Sequence, residues 1–232
     1  MQGYFLFLYF YRKRKEADYS DSTLQGARKT QYKFSIIVLS FNEKNLIEKK
    51  IENLKALTYP QFEVFFVDAS TDNTPQLIEK NISGSSHFHL IRVEKPSRSI
   101  QINKALSEVT GVFVLVTDVD AEMEKDALEK IGKEFKNEKI GVVGTYVMPG
   151  TDYKIDNLFW RTQNMMRHME SIYMHCPVVS GACYAFRRTL VMSLPEDVWA
   201  DDIYIPFLVN SKGFYSVYSH NIIVKEKRSP AT

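Results

Sequence analysis

Short apolar runs alternate with amphipathic segments along the chain from residue 33 onward. Short runs that are rich in β-branched and aromatic residues are typical of buried strands. We predict strands at FSIIVLS (34–40), EVFFVD (63–68), FHLIRV (88–93), VFVLVT (112–117) and GVVGTYV (141–147).

The segments between these runs carry apolar residues at helical spacing. In EKNLIEKKIENLKAL (43–57), one helix face presents Ile47, Ile51, Leu54 and Leu57. Ser40 and Glu43 fit a capping box ahead of this helix, and Thr74–Pro75 places a proline in the first turn of the next one. Strands that alternate with helices predict an α/β fold with a mostly parallel sheet flanked by helices.

The ends of the predicted strands are polar, and most of them are acidic. In an open α/β sheet a ligand binds at the carboxyl ends of the strands. The residues at these ends are SFNE (40–43), DASTD (68–72) and TDVD (117–120). We therefore expect the functional site along this edge of the sheet.

Asp118 and Asp120 follow a buried strand directly. Residues two apart on an extended segment point the same way, so both carboxylates can reach one ligand. Carboxylates with no nearby His or Cys suit a hard cation, Mg²⁺ or Mn²⁺, with phosphate oxygens completing the shell. The alternative is that the two acids only cap the following helix, which its dipole favours.

Composition and charge narrow the classes of protein. The 232 residues are 44% hydrophobic, as in ordinary globular proteins, and 30 Lys+Arg against 28 Asp+Glu leave a net charge of +2, which gives no support for a nucleic-acid partner. Cys176 and Cys183 form neither a zinc-type pair nor a disulfide framework, so reduced, buried thiols and a cytosolic setting are expected. A dinucleotide fingerprint, a P-loop and a hydrolase nucleophile elbow are all absent from the sequence.

The N-terminus differs from the rest of the chain. GYFLFLYFY (3–11) is apolar and RKRK (12–15) follows it, but a membrane-spanning helix needs about 20 apolar residues. An interfacial anchor, the tail of a spanning helix and a disordered start remain open. We expect residues 1–15 to be a membrane-proximal segment at the cytoplasmic face, 16–32 a linker, and 33–232 the folded domain.

Six segments occur in the order and spacing of the family-two glycosyltransferases, and the chain resembles that family over about residues 34–228. Each segment alone is weak evidence for the family, but the six together are specific. They are LSFNE (39–43), VDASTDNT (67–74), SRSIQINKAL (97–106), TDVDAE (117–122), VSGACYAFRRTL (179–190) and WADDIYIPFLVNSKGF (199–214). The resemblance implies a GT-A fold with a single Rossmann-like sheet. It also implies inverting transfer from a nucleoside-diphosphate sugar, UDP- or GDP-linked, to a saccharide or lipid-linked hydroxyl acceptor.

The resemblance also implies roles for individual residues. The nucleotide pocket would be lined by Ser40, Asn42, Glu43, Asp68, Arg98, Asn103 and Asp118. Asp120 would bind Mg²⁺ or Mn²⁺, with Asp118 as a second metal ligand. Gly181 would lie in the loop after a strand, beside the donor sugar and the acceptor. In the pair Asp201–Asp202, the second residue would be the catalytic base and the first would orient it or the acceptor.

The chain departs from the family pattern at three points. Val67 and Ala69 flank Asp68 where the common form has a second Asp and a Gly, which leaves the identity of the nucleotide open. Asp201 stands where Glu is more usual. No Q-x-x-R-W segment appears before Thr232, where relatives often continue into membrane helices, so a fragment or a truncated member is expected.

Two other functions remain open. A nucleotidyltransferase-like enzyme also combines an α/β sheet with acidic metal ligands, but the first strand end, LSFNEKN, lacks the glycine-rich loop expected of that class. A non-catalytic, membrane-associated scaffold with the same fold is the third hypothesis. The joint presence of Asp68, Asp118, Asp120 and Asp202 argues against it.

Overall fold

The computed structural model describes residues 32–150, 154–173, 176 and 178–226. The strands are β1 (Phe34–Ser40), β2 (Phe62–Asp68), β3 (Phe88–Arg92), β4 (Phe113–Asp118), β5 (Ala121–Met123), β6 (Ile140–Pro149), β7 (Cys183–Arg187) and β8 (Tyr215–Glu226). The α-helices are α1 (Ile47–Lys55), α2 (Thr74–Ile82), α3 (Arg98–Leu106), α4 (Ala127–Glu134), α5 (Lys154–Tyr173) and α6 (Asp201–Ser211). The membrane-proximal segment 1–15 and all of the linker except Tyr32 lie outside the described residues.

The strands form one mixed, mostly parallel sheet in the order β3-β2-β1-β4-β7-β6-β8-β5. Strands β1 to β4 are parallel. Strand β7 runs antiparallel to both β4 and β6, β6 and β8 are parallel, and β5 is antiparallel to β8. The predicted α/β fold is confirmed, and each of the five predicted strands is present with its ends shifted by two residues or fewer.

The central strand β1 is buried on both faces, as expected for a parallel strand covered by helices. Its Ile36 and Val38 belong to the core formed with α1, α2 and α4. Its Ile37 and Leu39 belong to the core formed with α3 and α6. The sheet is therefore packed between two helical layers, and its carboxyl edge is left to the connecting loops.

Helix α1 begins at Ile47 and not near Glu43, so the predicted capping box is wrong. Leu46 is the N-cap and makes no side-chain cap. The hydroxyl of Ser40 donates instead to Asp68 Oδ1 at 2.8 Å. Asn42 has a φ of 58°, a left-handed turn that directs residues 41–46 into a loop before the helix starts. Thr74–Pro75 opens α2 as predicted.

Both cysteines are buried free thiols, as expected. None of the helices within the described ranges combines the length and hydropathy that a membrane crossing requires.

Candidate active site

Asp68 ties together the first two loops at the carboxyl edge of the sheet. The parallel register places it beside Ser40, and its buried carboxylate accepts hydrogen bonds from the hydroxyls of Ser40 at 2.8 Å and Ser70 at 2.6 Å. The Ser70 N–H adds a third bond at 3.2 Å. A buried carboxylate needs such partners because it has lost its hydration. The predicted contact of Asp68 with the nucleotide stays a prediction.

Asn42 joins the same two loops from the other side. Its backbone N–H donates to Ser70 Oγ at 2.7 Å, and its side-chain Oδ1 accepts from the N–H groups of Thr71 at 2.9 Å and Asp72 at 3.3 Å. Gln101 of α3 joins the ends of β1 and β2, since its side-chain amide donates hydrogen bonds to the carbonyls of Ser40 and Val67. The predicted nucleotide loop is therefore held in place by side chains rather than by glycines.

Arg98, the first residue of α3, connects distant parts of the chain. Its Nη1 lies 2.6 Å from Asp118 Oδ1, and its Nε lies 2.6 Å from Asp201 Oδ1. Its Nη2 donates to Asp201 Oδ2 at 3.2 Å and to the Gly181 carbonyl at 3.1 Å. Burial alone would lower the pKa of Arg98, but the two carboxylates outweigh it and raise that pKa. We refer to these contacts as the Arg98 bridge.

Asp201 is fully engaged in this cluster. It is 1% exposed, and besides the two bonds from Arg98 it accepts one from the Tyr184 hydroxyl at 2.5 Å. Both of its carboxylate oxygens are thus occupied by Arg98 and Tyr184, and burial keeps an acceptor hydroxyl from reaching them. Asp201 therefore fits the predicted orienting role and not that of a base.

Asp202 stands next to it in the first turn of α6 and is only half-buried. Its backbone carbonyl accepts from the Val179 N–H at 3.1 Å. Burial, and then the charge of Asp201, raise the pKa of Asp202. A Cβ added at Gly181 would lie 3.4 Å from Asp202 Oδ2 and 3.8 Å from Arg98 Nη2, so the glycine leaves space beside this carboxylate.

Gly181 itself lies before a strand, not after one as expected from the resemblance. It precedes β7, whose antiparallel register pairs Cys183 with Thr117. The Asp118 N–H consequently donates to the Ala182 carbonyl at 3.0 Å. The reversal of β7 is what brings this turn against the end of β4.

Asp118 ends β4, and Asp120 lies in the turn that leads to β5. Burial and the charge of Asp118 raise the pKa of Asp120. Burial, followed by the charges of Asp120 and Asp118, raises the pKa of Glu43. Repulsion by nearby carboxylates thus contributes to both raised pKa values, and a cation would relieve that repulsion.

These donors fit Mg²⁺ or Mn²⁺, since both cations prefer carboxylate oxygen and complete their shell with phosphate and water. Within the described part of the chain, no three His, Cys, Asp or Glu side chains form a ready-made metal cage. A cation bound here would be held by Asp118 and Asp120 together with oxygens from its ligand.

Asn103, also predicted as a site residue, uses its side-chain amide to bind the backbone of Leu194. Its Nδ2 donates to the Leu194 carbonyl and its Oδ1 accepts from the Leu194 N–H, each at 2.7 Å. It holds the segment around Leu194, and its contact with a nucleotide stays a prediction.

Two residues with structural roles in the site were not identified from the sequence. Tyr184 gives no signal, because a tyrosine in an apolar strand is ordinary. Lys50 does give one, because it interrupts the apolar face of α1 between Ile47 and Leu54. It is buried, and its Nζ donates to Thr117 Oγ1 and the Ala121 carbonyl.

A cavity of about 580 Å³ lies on the α1 side of the turn, between α1, β5 and the end of β8. Its lining includes Lys49, Lys50, Asn53, Asp120 and Lys225. The Arg98 bridge lies on the other side of the turn between β4 and β5. Asp120, in that turn, therefore lies between the cavity and the Arg98 bridge.

A family model described as glycosyl transferase family 2 matches residues 35–194. Among curated proteins, a beta-monoglucosyldiacylglycerol synthase from Nostoc sp. is 32% identical over 115 residues, which cover 47% of this chain and 25% of that protein. The chain thus spans about a quarter of the length of this relative.

Two solved structures share the fold. The mannosyltransferase PcManGT from Pyrobaculum calidifontis, in complex with GDP-Man and Mn²⁺, is 26% identical with a TM-score of 0.73, over 95% of this chain and 64% of that one. TarS 1–349 from S. aureus, in complex with UDP-GlcNAc, is 21% identical with a TM-score of 0.68, over 86% of this chain and 60% of that one. These likenesses confirm the predicted GT-A type of α/β fold.

Proposed function

Because the chain belongs to glycosyl transferase family 2, we propose that it transfers a sugar, with inversion, from a nucleoside-diphosphate donor to a hydroxyl acceptor. The observation that carries this proposal is the Arg98 bridge, which joins Asp118 at the end of β4 to the acidic first turn of α6. PcManGT binds GDP-Man with Mn²⁺ and TarS binds UDP-GlcNAc, which supports a UDP- or GDP-sugar as the donor.

The donor nucleotide would bind along the edge formed by Ser40, Asn42, Glu43, Asp68 and Arg98. The loops that carry these residues are fixed to each other before any ligand arrives. Such preorganisation reduces the ordering cost of binding. Asn103 would act only indirectly, through the Leu194 segment that it holds.

A divalent cation at Asp118 and Asp120 would act as a Lewis acid that neutralises the charge developing on the diphosphate. The residues of this chain would hold the two carboxylates at the carboxyl end of β4 and set Arg98 against Asp118. Arg98 contributes a fixed positive charge next to the same leaving group, which costs no reorganisation during the reaction.

Asp202 would serve as the general base. Its carboxylate takes the proton of the acceptor hydroxyl while the acceptor oxygen forms a bond to the anomeric carbon. The bond from that carbon to the diphosphate oxygen breaks, and its electron pair leaves with the nucleoside diphosphate. A single displacement from the opposite face inverts the anomeric centre. Asp201, held by Arg98 and Tyr184, fixes the backbone from which Asp202 projects.

The acceptor would approach along an exposed apolar face next to Asp202. Trp199, which is 92% exposed, is followed at four-residue intervals by the exposed side chains of Ile203 and Phe207. The four-residue spacing puts Ile203 and Phe207 on one side of α6, and Trp199 lies two residues before the helix begins. Such a face suits the apolar side of a saccharide ring or the lipid part of a lipid-linked acceptor.

The site of action that we propose is the cytoplasmic face of a membrane. The support is in the sequence, where the apolar residues 3–11 precede the basic residues 12–15. A short apolar run can insert into the membrane interface, and adjacent basic residues are attracted to anionic lipids. Together, these two contributions would bind the segment to the membrane.

The proposal is tested by nucleotide binding with and without metal. The wild-type protein should be stabilised against heat by UDP or GDP in the presence of Mn²⁺, and less so in its absence. Asp120→Asn should abolish the Mn²⁺-dependent part of this shift and the transfer of sugar, while the melting temperature without ligand stays near that of the wild type.

Asp197→Asn is the matched control, because it removes the same charge from an exposed position. Asp120→Asn with near-normal Mn²⁺-dependent binding and transfer would show that the metal assignment is wrong. A wild-type protein that no nucleoside diphosphate stabilises would contradict the donor class.

A further inference from the structure

Lys50 lies beneath the turn that carries Asp118 and Asp120, and we propose that it is the positioning residue that holds this turn in its metal-binding shape. This inference rests on the metal site in the proposed function above. Lys50 is 2% exposed and projects from the apolar face of α1, where Ile47 and Leu54 are its neighbours along the helix.

The ammonium group of Lys50 ties the two ends of the turn together. Its Nζ donates to Thr117 Oγ1 at 2.9 Å and to the Ala121 carbonyl at 2.5 Å. Thr117 immediately precedes Asp118, and Ala121 immediately follows Asp120. One side chain therefore fixes the spacing between the residues that flank both carboxylates.

The same hydrogen bonds reach the loop beside Asp202. Thr117 Oγ1 donates onward to the Ala182 carbonyl at 3.1 Å, and the Asp118 N–H donates to that carbonyl at 3.0 Å. Ala182 follows Gly181, whose carbonyl accepts from Arg98. Lys50 thus supports the turn from the α1 side while the Arg98 bridge holds it from the other side.

The burial of Lys50 has to be accounted for, since both of its acceptors are neutral oxygens. An ammonium without a bonded carboxylate is costly to bury, and burial lowers the pKa of Lys50 to about 8 against the favourable charges of Asp118 and Asp120. If its charge were the only contribution of Lys50, the lysine would repel Mn²⁺ at the turn, and its removal would tighten Mn²⁺ binding. If Lys50 positions the turn, its removal weakens Mn²⁺ binding. The direction in which metal affinity changes therefore decides between the two roles.

The test is the affinity for Mn²⁺, measured by thermal shift at saturating UDP and, separately, at saturating GDP. Lys50→Met keeps most of the length of the side chain and removes the ammonium group with its donors. It should raise the apparent Kd for Mn²⁺ by about 10- to 100-fold, the usual effect of losing a residue that orients metal ligands. Lys80→Met is the matched control, since it removes the same charge from an exposed position on α2, outside the lining of the cavity beside Asp120, and it should leave the Kd unchanged.

Thr117→Val provides a second, independent route to the same result. It removes the acceptor of Lys50 at nearly constant volume, so it too should weaken Mn²⁺ binding. Relative to the wild type, the double variant should lose much less Mn²⁺ binding free energy than the two single variants lose in sum, because both substitutions remove the same connection. If Lys50→Met does not fold, Thr117→Val alone decides.

Mn²⁺ affinity that is unchanged or tighter in Lys50→Met, or unchanged in Thr117→Val, would overturn the role of Lys50 while the proposed function stands. A wild-type protein without any Mn²⁺ response would overturn the metal site itself, and this inference with it.

Discussion

The carboxylate of Asp202 is the group on which the proposed transfer depends most directly. Asp202→Asn keeps the shape of the side chain and removes its basicity. Transfer should fall by roughly 10²- to 10⁴-fold, the usual contribution of general base catalysis. Binding of the donor nucleotide should be unchanged, because the predicted nucleotide residues lie on other loops. Steady-state kinetics and nucleotide titrations measure the two effects separately.

The pH dependence distinguishes this role from a structural one. Since the pKa of Asp202 is raised by burial and by Asp201, kcat/KM should rise with pH as Asp202 ionises, and this rise should lie at higher pH than for an ordinary aspartate. The residual activity of Asp202→Asn should lack that rise, and Asp197→Asn should keep it. A variant that transfers sugar normally would exclude Asp202 from the mechanism.

The sequence could identify Asp201 and Asp202 as an acidic pair but could not divide their roles from the residues alone. The difference between them comes from contacts that are distant in the sequence. Arg98 and Tyr184 reach Asp201 from α3 and β7 and occupy its oxygens, whereas Asp202 projects beside Gly181. Only the resemblance to a family assigned the base to the second residue.

At the scale of elements, Glu63 links β2 to the start of β1 and to the loop before β4. Its carboxylate accepts from Lys33 Nζ at 2.5 Å, Ser35 Oγ at 2.6 Å and the Thr110 N–H at 2.8 Å. Burial would raise the pKa of Glu63, but these hydrogen bonds outweigh it and lower the pKa to about 2. The ionised form therefore stabilises this end of the sheet.

Glu63→Gln should lower the free energy of unfolding at neutral pH by roughly 2–4 kcal/mol, the amount that corresponds to the lowered pKa. Because the folded-state pKa lies below the unfolded one, the stabilisation is complete above the unfolded value of 4.5 and is lost as pH falls toward about 2. Urea unfolding of wild type and variant at several pH values should show the difference shrinking in that window.

Glu79→Gln, on the exposed face of α2, is the control for removing a carboxylate. It should change stability little at any pH. A Glu63→Gln variant whose stability difference from the wild type does not vary with pH would show that the contacts of Glu63 do not favour its ionised form.

Local patterns were sufficient to predict the parallel half of the sheet. Apolar runs located β1, β2 and β4, because strands buried on both faces are continuously hydrophobic, and a shorter run located β3, a partly exposed strand at the edge of the sheet. The start of α1 was misplaced, since the left-handed Asn42 and the Ser40–Asp68 bond depend on a neighbouring strand. The reversal of β7, which completes the site, depends on pairing with β4 and β6 and has no local signature.

At the scale of the whole molecule, the N-terminal segment is expected to set where the protein works. Removing residues 1–15 should move it from the membrane fraction to the supernatant after cell fractionation, because both the apolar run and the basic cluster are lost. Replacing Arg12, Lys13, Arg14 and Lys15 with Gln should weaken binding to vesicles that contain anionic lipid, and high salt should mimic that change.

Transfer to a soluble acceptor analogue should survive the deletion, since the proposed site and acceptor face are built from residues 40–207. A full-length protein that remains wholly in the supernatant would contradict the proposed location.

The Arg98 bridge also has a consequence for the synthesis of the chain, because its residues are made at different times. A chain that grows from its N-terminus contains Arg98 and Asp118 well before Asp201, which comes 103 residues after Arg98. Until α6 emerges, the guanidinium has only one of its two carboxylate partners, and Asp202, the proposed general base, is not yet present. On the proposed mechanism, a partly synthesised protein could not transfer a sugar to water or to a wrong acceptor, and this capacity would arrive with α6.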